Sequence, residues 1–133
     1  MTKRPVNQQV IVVTGASSGL GRAVARLAGE RGAKVVVTAR NTEALDNCVA
    51  EIERAGSEAL AVSGDITDRS VVERGVDAAV ERFGRIDTYV ANAIVTVYAE
   101  AERLEEDELR RVWDVNFFGV VYGYWAALPH LRA

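Results

Sequence analysis

Val10-Ile11-Val12-Val13-Thr14-Gly15-Ala16-Ser17-Ser18-Gly19-Leu20-Gly21-Arg22-Ala23-Val24-Ala25 is the stretch that gives the rest of this chain its meaning. Its first four residues are apolar and β-branched and do not alternate with polar ones. That is the pattern of a strand buried on both faces. From Arg22 onward the apolar positions Val24, Leu27 and Ala28 fall on one side of a helix. Between strand and helix lie three glycines spaced G-x-x-x-G-x-G. Glycine admits positive φ and lets another group approach the main chain. A strand feeding such a turn and then a helix start aims free N–H groups and the positive end of the helix dipole at one point. This is an anion site, suited to a pyrophosphate. A tight connection without a ligand would use the same residues, but the strand-before, helix-after context favours phosphate. The spacing is not G-x-G-x-x-G, and the turn lacks the Gly-Lys-Ser/Thr ending of a P-loop, which argues against Walker-type phosphoryl transfer.

Outward from this turn, strand and helix alternate. The pattern predicts strands at about 9–14, Lys34–Ala39, Ala59–Val62 and Ile86–Ala91. Helices are predicted at about 19–31, from Thr42 as N-cap to Ala55, from after Asp68 to Phe83, and at about 105–128. Gly32, Gly56 and Gly84 follow the first three helices as stop signals. Alternating β and α units with short connections imply right-handed crossovers and a parallel sheet covered on both faces. In open sheets of this class, ligands bind beyond the carboxyl ends of the strands, where strand order reverses. The residues just after each strand are therefore the informative ones.

After the second strand comes Ala39-Arg40-Asn41. An acidic residue here would bind the ribose 2′-hydroxyl of NAD, and there is none. Arg40 suits a 2′-phosphate through charge-assisted, bidentate bonds, and Arg22 offers a second positive charge. Arg40 is equally readable as a solvated loop residue. After the third strand comes Gly64-Asp65-Ile66, whose carboxylate can accept from an adenine amino group or cap the next helix. After the fourth comes Ala91-Asn92-Ala93-Ile94, in which Asn92 can serve a ligand or tie loop backbone together. The last helix carries a broad apolar face through Val112, Trp113, Phe117, Val120, Val121, Tyr124 and Trp125. Asn116 falls within it. A buried amide must find partners or costs about 1–3 kcal/mol, so a structural role is the default for Asn116.

The 133 residues read as one domain, 1–133, with 49% hydrophobic content and enough length to bury a core. The net charge of −3 is interspersed along the chain, so no nucleic-acid footprint is expected. No apolar run approaches bilayer-spanning length, and Met1-Thr2-Lys3-Arg4-Pro5 is not a signal peptide. The lone Cys48 cannot form an intrachain disulfide. No metal or membrane partner is expected, and the reading is a soluble, cytoplasmic protein.

Together these residues resemble the short-chain dehydrogenase/reductase family over essentially the whole chain. Thr14-Gly15-Ala16-Ser17-Ser18-Gly19-Leu20-Gly21 matches its T-G-x-x-x-G-x-G fingerprint. Gly64-Asp65-Ile66 resembles its adenine-contacting aspartate with the apolar residue that follows. Asn92-Ala93 resembles part of its N-N-A-G motif, and Asp114-Val115-Asn116 the segment bearing the helix asparagine of its Asn-Ser-Tyr-Lys tetrad. The resemblance implies a Rossmann-type, doubly wound α/β fold and an oxidoreductase using NADP rather than NAD, since Ala39-Arg40 looks like the NADP-preferring pattern. It also implies a small carbonyl or alcohol substrate and a homo-oligomer. The cofactor set it implies is Gly15, Ser17, Ser18, Gly19, Leu20, Gly21, Arg22, Arg40, Asp65, Ile66, Asn92 and Ala93, with Asn116 as the one catalytic tetrad member present.

Two departures stand out. Ala91 replaces the motif's first Asn, and Ile94 stands where it has Gly, adding bulk where the nicotinamide ribose would pass. The family's Ser and Tyr-x-x-x-Lys lie beyond the Asn116 helix, whereas this sequence ends at Ala133 and its only lysines are Lys3 and Lys34. Tyr98, Tyr122 and Tyr124 have no lysine four residues on. The sheet is thus expected to be truncated after about four strands and the long helix. The isolated chain is expected to be inactive, with an apolar edge strand and an aromatic helix face that promote self-association. The alternative is a non-catalytic nucleotide-binding or self-assembling module. A response-regulator-like or flavodoxin-like domain accounts less well for the glycine turn and Asp65 together.

Overall fold

The computed structural model describes residues 4–133. Its elements are β1 (Val10–Thr14), α1 (Gly19–Glu30), β2 (Lys34–Ala39), α2 (Thr42–Arg54), β3 (Ala59–Ser63), α3 (Arg69–Phe83), β4 (Thr88–Val90), α4 (Glu106–Trp113) and α5 (Gly119–Leu131). The four strands form one parallel sheet in the order β3-β2-β1-β4. The chain builds the sheet in one direction from β1 to β3, then crosses back to lay β4 on the other side of β1. The reversal of strand order therefore falls between β1 and β4, and this is a Rossmann-type, doubly wound α/β fold.

The uninterrupted apolar runs behave as the sequence predicts. Every residue of β1 is buried, as are all of β2 but Lys34. One face of the sheet packs Ile11, Val13, Val35 and Val37 against Ala25 and Ala28 of α1 and Leu45, Cys48 and Ile52 of α2. The opposite face packs Val10, Val12 and Val36 against Val76 and Ala79 of α3 and Ala127 of α5. Neighbouring residues on each central strand thus serve two separate cores, which is why alternation is absent.

Several boundaries differ from the sequence pattern. Asn41, not Thr42, caps α2, because its Oδ1 accepts the Ala44 N–H at 3.0 Å and Thr42 is already helical. The strand predicted over Ile86–Ala91 contracts to Thr88–Val90 because turn bonds take over at its end. The Asn92 N–H donates to the Val90 carbonyl at 3.0 Å, and the Thr14 hydroxyl accepts both the Asn92 and Ala93 N–H groups. The single long helix is two, α4 and α5, joined without a break through a π-helical turn, Asp114–Phe118. Helix α5 runs past Leu128 to Leu131, with Pro129 inside its last turn.

Asp87 fastens the amino end of the sheet. Its carboxylate accepts the Val10 N–H at 2.9 Å and pairs with Arg85 and Arg4. Desolvation would raise the Asp87 carboxyl, but Arg85 and the Val10 amide together hold it below the usual range. Among the described residues, no helix is long and apolar enough to cross a membrane.

Candidate functional site

Thr14 closes β1 with a buried hydroxyl that is fully used. It accepts from Asn92 and Ala93 and donates to the Val90 carbonyl at 3.3 Å. One side chain thereby fixes the β4 loop against the glycine turn at the point where strand order reverses. Gly15 follows with φ +68°, and a Cβ there would stand 2.7 Å from the Ala93 Cα. Only glycine meets both demands. The turn is held from the other side by the Ala16 N–H, which donates to the Thr38 carbonyl at the end of β2.

Helix α1 then starts at Gly19 with Ser18 as N-cap. Ser18 makes no side-chain capping bond, unlike Asn41 and Asp68, which cap α2 and α3. The first amides of α1 are left open to a cleft of about 500 Å³. Its walls come from the carboxyl ends of all four strands: Gly15, Ser17, Ser18, Gly19 and Leu20 from the first; Ala39, Arg40 and Asn41 from the second; Gly64, Asp65 and Ile66 from the third; and Asn92, Ala93, Ile94 and Val95 from the fourth. Arg111 and Val115 close it from the last helical segment. Ten of the expected site residues therefore meet in one concavity.

Three do not line it, each for a physical reason. Gly21 lies beneath the turn. A Cβ there would overlap the Gly15 carbonyl oxygen and the Asn92 amide, so the residue acts by absence of bulk, seating α1 under the loop. Arg22, expected as a second cation at the phosphate, turns away to Glu51 of α2. The two meet with Nη2–Oε1 at 2.6 Å and Nε–Oε2 at 3.4 Å. The Arg22 guanidinium bonded to Glu51 holds that carboxyl below the usual range, and Glu51 in turn raises Arg22. Asn116 sits in the π-turn and clamps one loop residue at both ends. Its Oδ1 accepts the Val95 N–H at 3.0 Å and its Nδ2 donates to the Val95 carbonyl at 2.8 Å. This satisfies the amide within the apolar stripe and fixes the loop after β4.

Two amides near the turn carry further ties. Asn92 Nδ2 donates to the Gly15 carbonyl at 3.2 Å, so Asn92 braces the glycine turn as well as facing the cleft. Asp65 accepts at Oδ1 from the Thr67 N–H at 3.0 Å and hydroxyl at 2.9 Å, and its Oδ2 meets Arg111 Nη2 at 2.8 Å. Asp68, not Asp65, caps α3. Desolvation favours the neutral Asp65 acid, yet the Thr67 amide, Arg111 and the Thr67 hydroxyl together hold the carboxyl below its ordinary value. Arg40 is exposed and enters no hydrogen bond or ion pair among the described residues. Ile94 projects largely into solvent at the cleft rim and does not wall the cleft off.

The sequence pattern marks Thr14 and Val115 only as members of their motifs, not as binding-site residues, and does not mark Val95 or Arg111. A polar residue ending a wholly buried strand was a signal for Thr14. Nothing local marked the others as site residues. Tyr89 is a half-buried phenol that burial pushes up to about 12. It packs where Gly123 leaves room for its ring.

Comparison with known proteins agrees with this geometry. The chain is 43% identical over 127 residues to the uncharacterized oxidoreductase YxnA of Bacillus subtilis, covering 96% of this chain and 36% of that protein. An alcohol dehydrogenase from Thermococcus sibiricus, solved with 5-hydroxy-NADP, superposes with a TM-score of 0.89 at 33% identity, covering 93% of this chain and 53% of that one. The L-sorbose reductase of Gluconobacter frateurii, solved with NADPH and L-sorbose, gives 0.87 at 26% identity, covering 93% and 48%. The chain thus spans about half or less of the length of these relatives. The family described as short chain dehydrogenase matches residues 9–133. With the glycine turn, the strand-end cleft and this match in agreement, the chain belongs to the short-chain dehydrogenase family.

Proposed function

We propose that the cleft binds NADP(H), and that residues 1–133 form the cofactor-binding part of an oxidoreductase moving a hydride between NADP and a small carbonyl or alcohol substrate. One observation carries the reading: the uncapped head of α1 and Arg40, unpaired among the described residues, face the same concavity. The open amides of the Ser17–Leu20 segment suit a pyrophosphate, with Gly15 giving close approach and Gly21 seating the helix. Arg40 suits a ribose 2′-phosphate. Asp65 and Ile66 suit adenine, and Asn92 and Ala93 the nicotinamide-side ribose. Two solved relatives hold an NADP-type dinucleotide, which supports the choice.

When bound, the dinucleotide supplies the hydride, and the protein must supply position and a proton. Asn116 contributes position through its clamp on Val95. Residues 1–133 contain no Tyr-x-x-x-Lys, so this chain by itself is expected to bind the cofactor without turnover. Isothermal titration tests the reading. NADP is expected to bind about 10- to 100-fold tighter than NAD, the effect of one charge-assisted phosphate contact, and Arg40→Ala to bring the two near parity. Equal affinities in the parent protein, or no binding of either, would refute it.

A second reading rests on a separate surface. Trp113, Tyr124 and Trp125 are each more than half exposed, and Trp113 stacks on Phe117 at 5.0 Å between ring centroids. An apolar patch of this kind is uncommon on a monomer. We infer self-association through this face. Light scattering after gel filtration is expected to give a dimer or larger at micromolar concentration, shifted to monomer by Trp113→Glu. A clean monomer in the parent protein removes the inference.

A further inference from the structure

We propose that Arg111 is a positioning residue for adenine recognition, holding the Asp65 carboxylate ready to accept from the adenine amino group. The proposal rests on the cofactor reading above and extends it to a residue of α4. Helix α4 buries no side chain of its own. Its other described ion pair, Arg110–Glu106, lies within the helix. Arg111 alone among its side chains reaches back across the cleft, placing Nη2 2.8 Å from Asp65 Oδ2 and Nη1 3.5 Å from the Thr67 hydroxyl.

A carboxylate offers about four acceptor positions. Thr67 fills two at Oδ1 and Arg111 one at Oδ2, so one is left on a group that lines the cleft. Held at both oxygens, the carboxylate has little rotamer freedom left to lose when a ligand arrives, and preorganisation of this kind strengthens binding. Without Arg111, Oδ2 is free to turn to water. Arg111 also forms the partition between the cleft and a neighbouring groove of about 320 Å³ bounded by Val95, Thr96, Val97 and Val112.

The test compares NADPH with nicotinamide hypoxanthine dinucleotide phosphate, which carries a carbonyl in place of the adenine amino group. Titration of the parent protein is expected to favour adenine about tenfold, the scale of one hydrogen bond to a charged acceptor. Arg111→Ala is expected to weaken NADPH and shrink the preference to within about twofold, while Arg111→Lys keeps part of it. Arg110→Ala, on the same helix but off the cleft, is expected to retain the full preference. A purely structural role would weaken both dinucleotides equally. Arg111→Ala that keeps the tenfold preference, or a parent protein that binds both dinucleotides alike, overturns the proposal for Arg111 alone. A parent protein that binds neither dinucleotide overturns the cofactor reading and this proposal with it.

Discussion

Gly21→Ala is expected to weaken NADP binding about 10- to 100-fold in a folded protein. The added methyl has no space, since it would overlap the Gly15 carbonyl and the Asn92 side-chain amide. Both obstacles are fixed. Gly15 is bound into the turn by the Asn92 bond, and the β4 loop is fastened by Thr14. The accommodation open to the chain is to lift the head of α1 away from the loop, which moves the uncapped amides off their common point. Overpacking of this kind costs about 1–3 kcal/mol, and each 1.4 kcal/mol is tenfold in affinity. Titration with NADP reads the loss, and a melting curve shows whether fold or site absorbs the strain. Parent-like affinity would mean that the head of α1 is not where the diphosphate sits.

Ile52→Ala is expected to destabilise the fold by about 2–5 kcal/mol, against a total of about 5–15 kcal/mol for a domain of ordinary stability. Ile52 is wholly buried where α2 meets α1. Its Cγ2 would lie 2.6 Å from a Cβ placed on Gly29, so the isoleucine fills the notch that glycine leaves. Glycine cannot move inward to fill the void, and the flanking helices are pinned by the sheet. Ile52→Val, which removes one methylene, is expected to cost about 0.5–1.5 kcal/mol. The midpoint of urea unfolding checks both. A loss below about 1 kcal/mol for Ile52→Ala would show that the two helices close over the gap.

Much of the site was legible from local pattern. The glycine turn, Arg40, Asp65-Ile66 and Asn92-Ala93 each follow a strand, and a parallel α/β sheet gathers strand ends without further instruction. Asn116 was legible as an amide needing partners, though not as the clamp on Val95, 21 residues earlier. Arg22 was read toward the phosphate because it opens α1. Its partner Glu51 lies 29 residues away on another helix. Both positions are ordinary helical charges taken alone, and only the packing of α1 on α2 brings them together.

The division has a physical basis. Strand and helix are set by interactions over two to four residues, so β-branched runs, helical periodicity and glycine stops wrote the order β-α-β-α into the sequence itself, and with it the location of the cleft. Which long polar side chain meets which is different. Arg22, Arg111 and Asn116 each have several rotamers and several candidate partners, and the choice falls to whichever groups the finished packing brings within about 3 Å. The sequence therefore determined where the cleft opens, and the tertiary structure decided which charges, among the described residues, are left to face it.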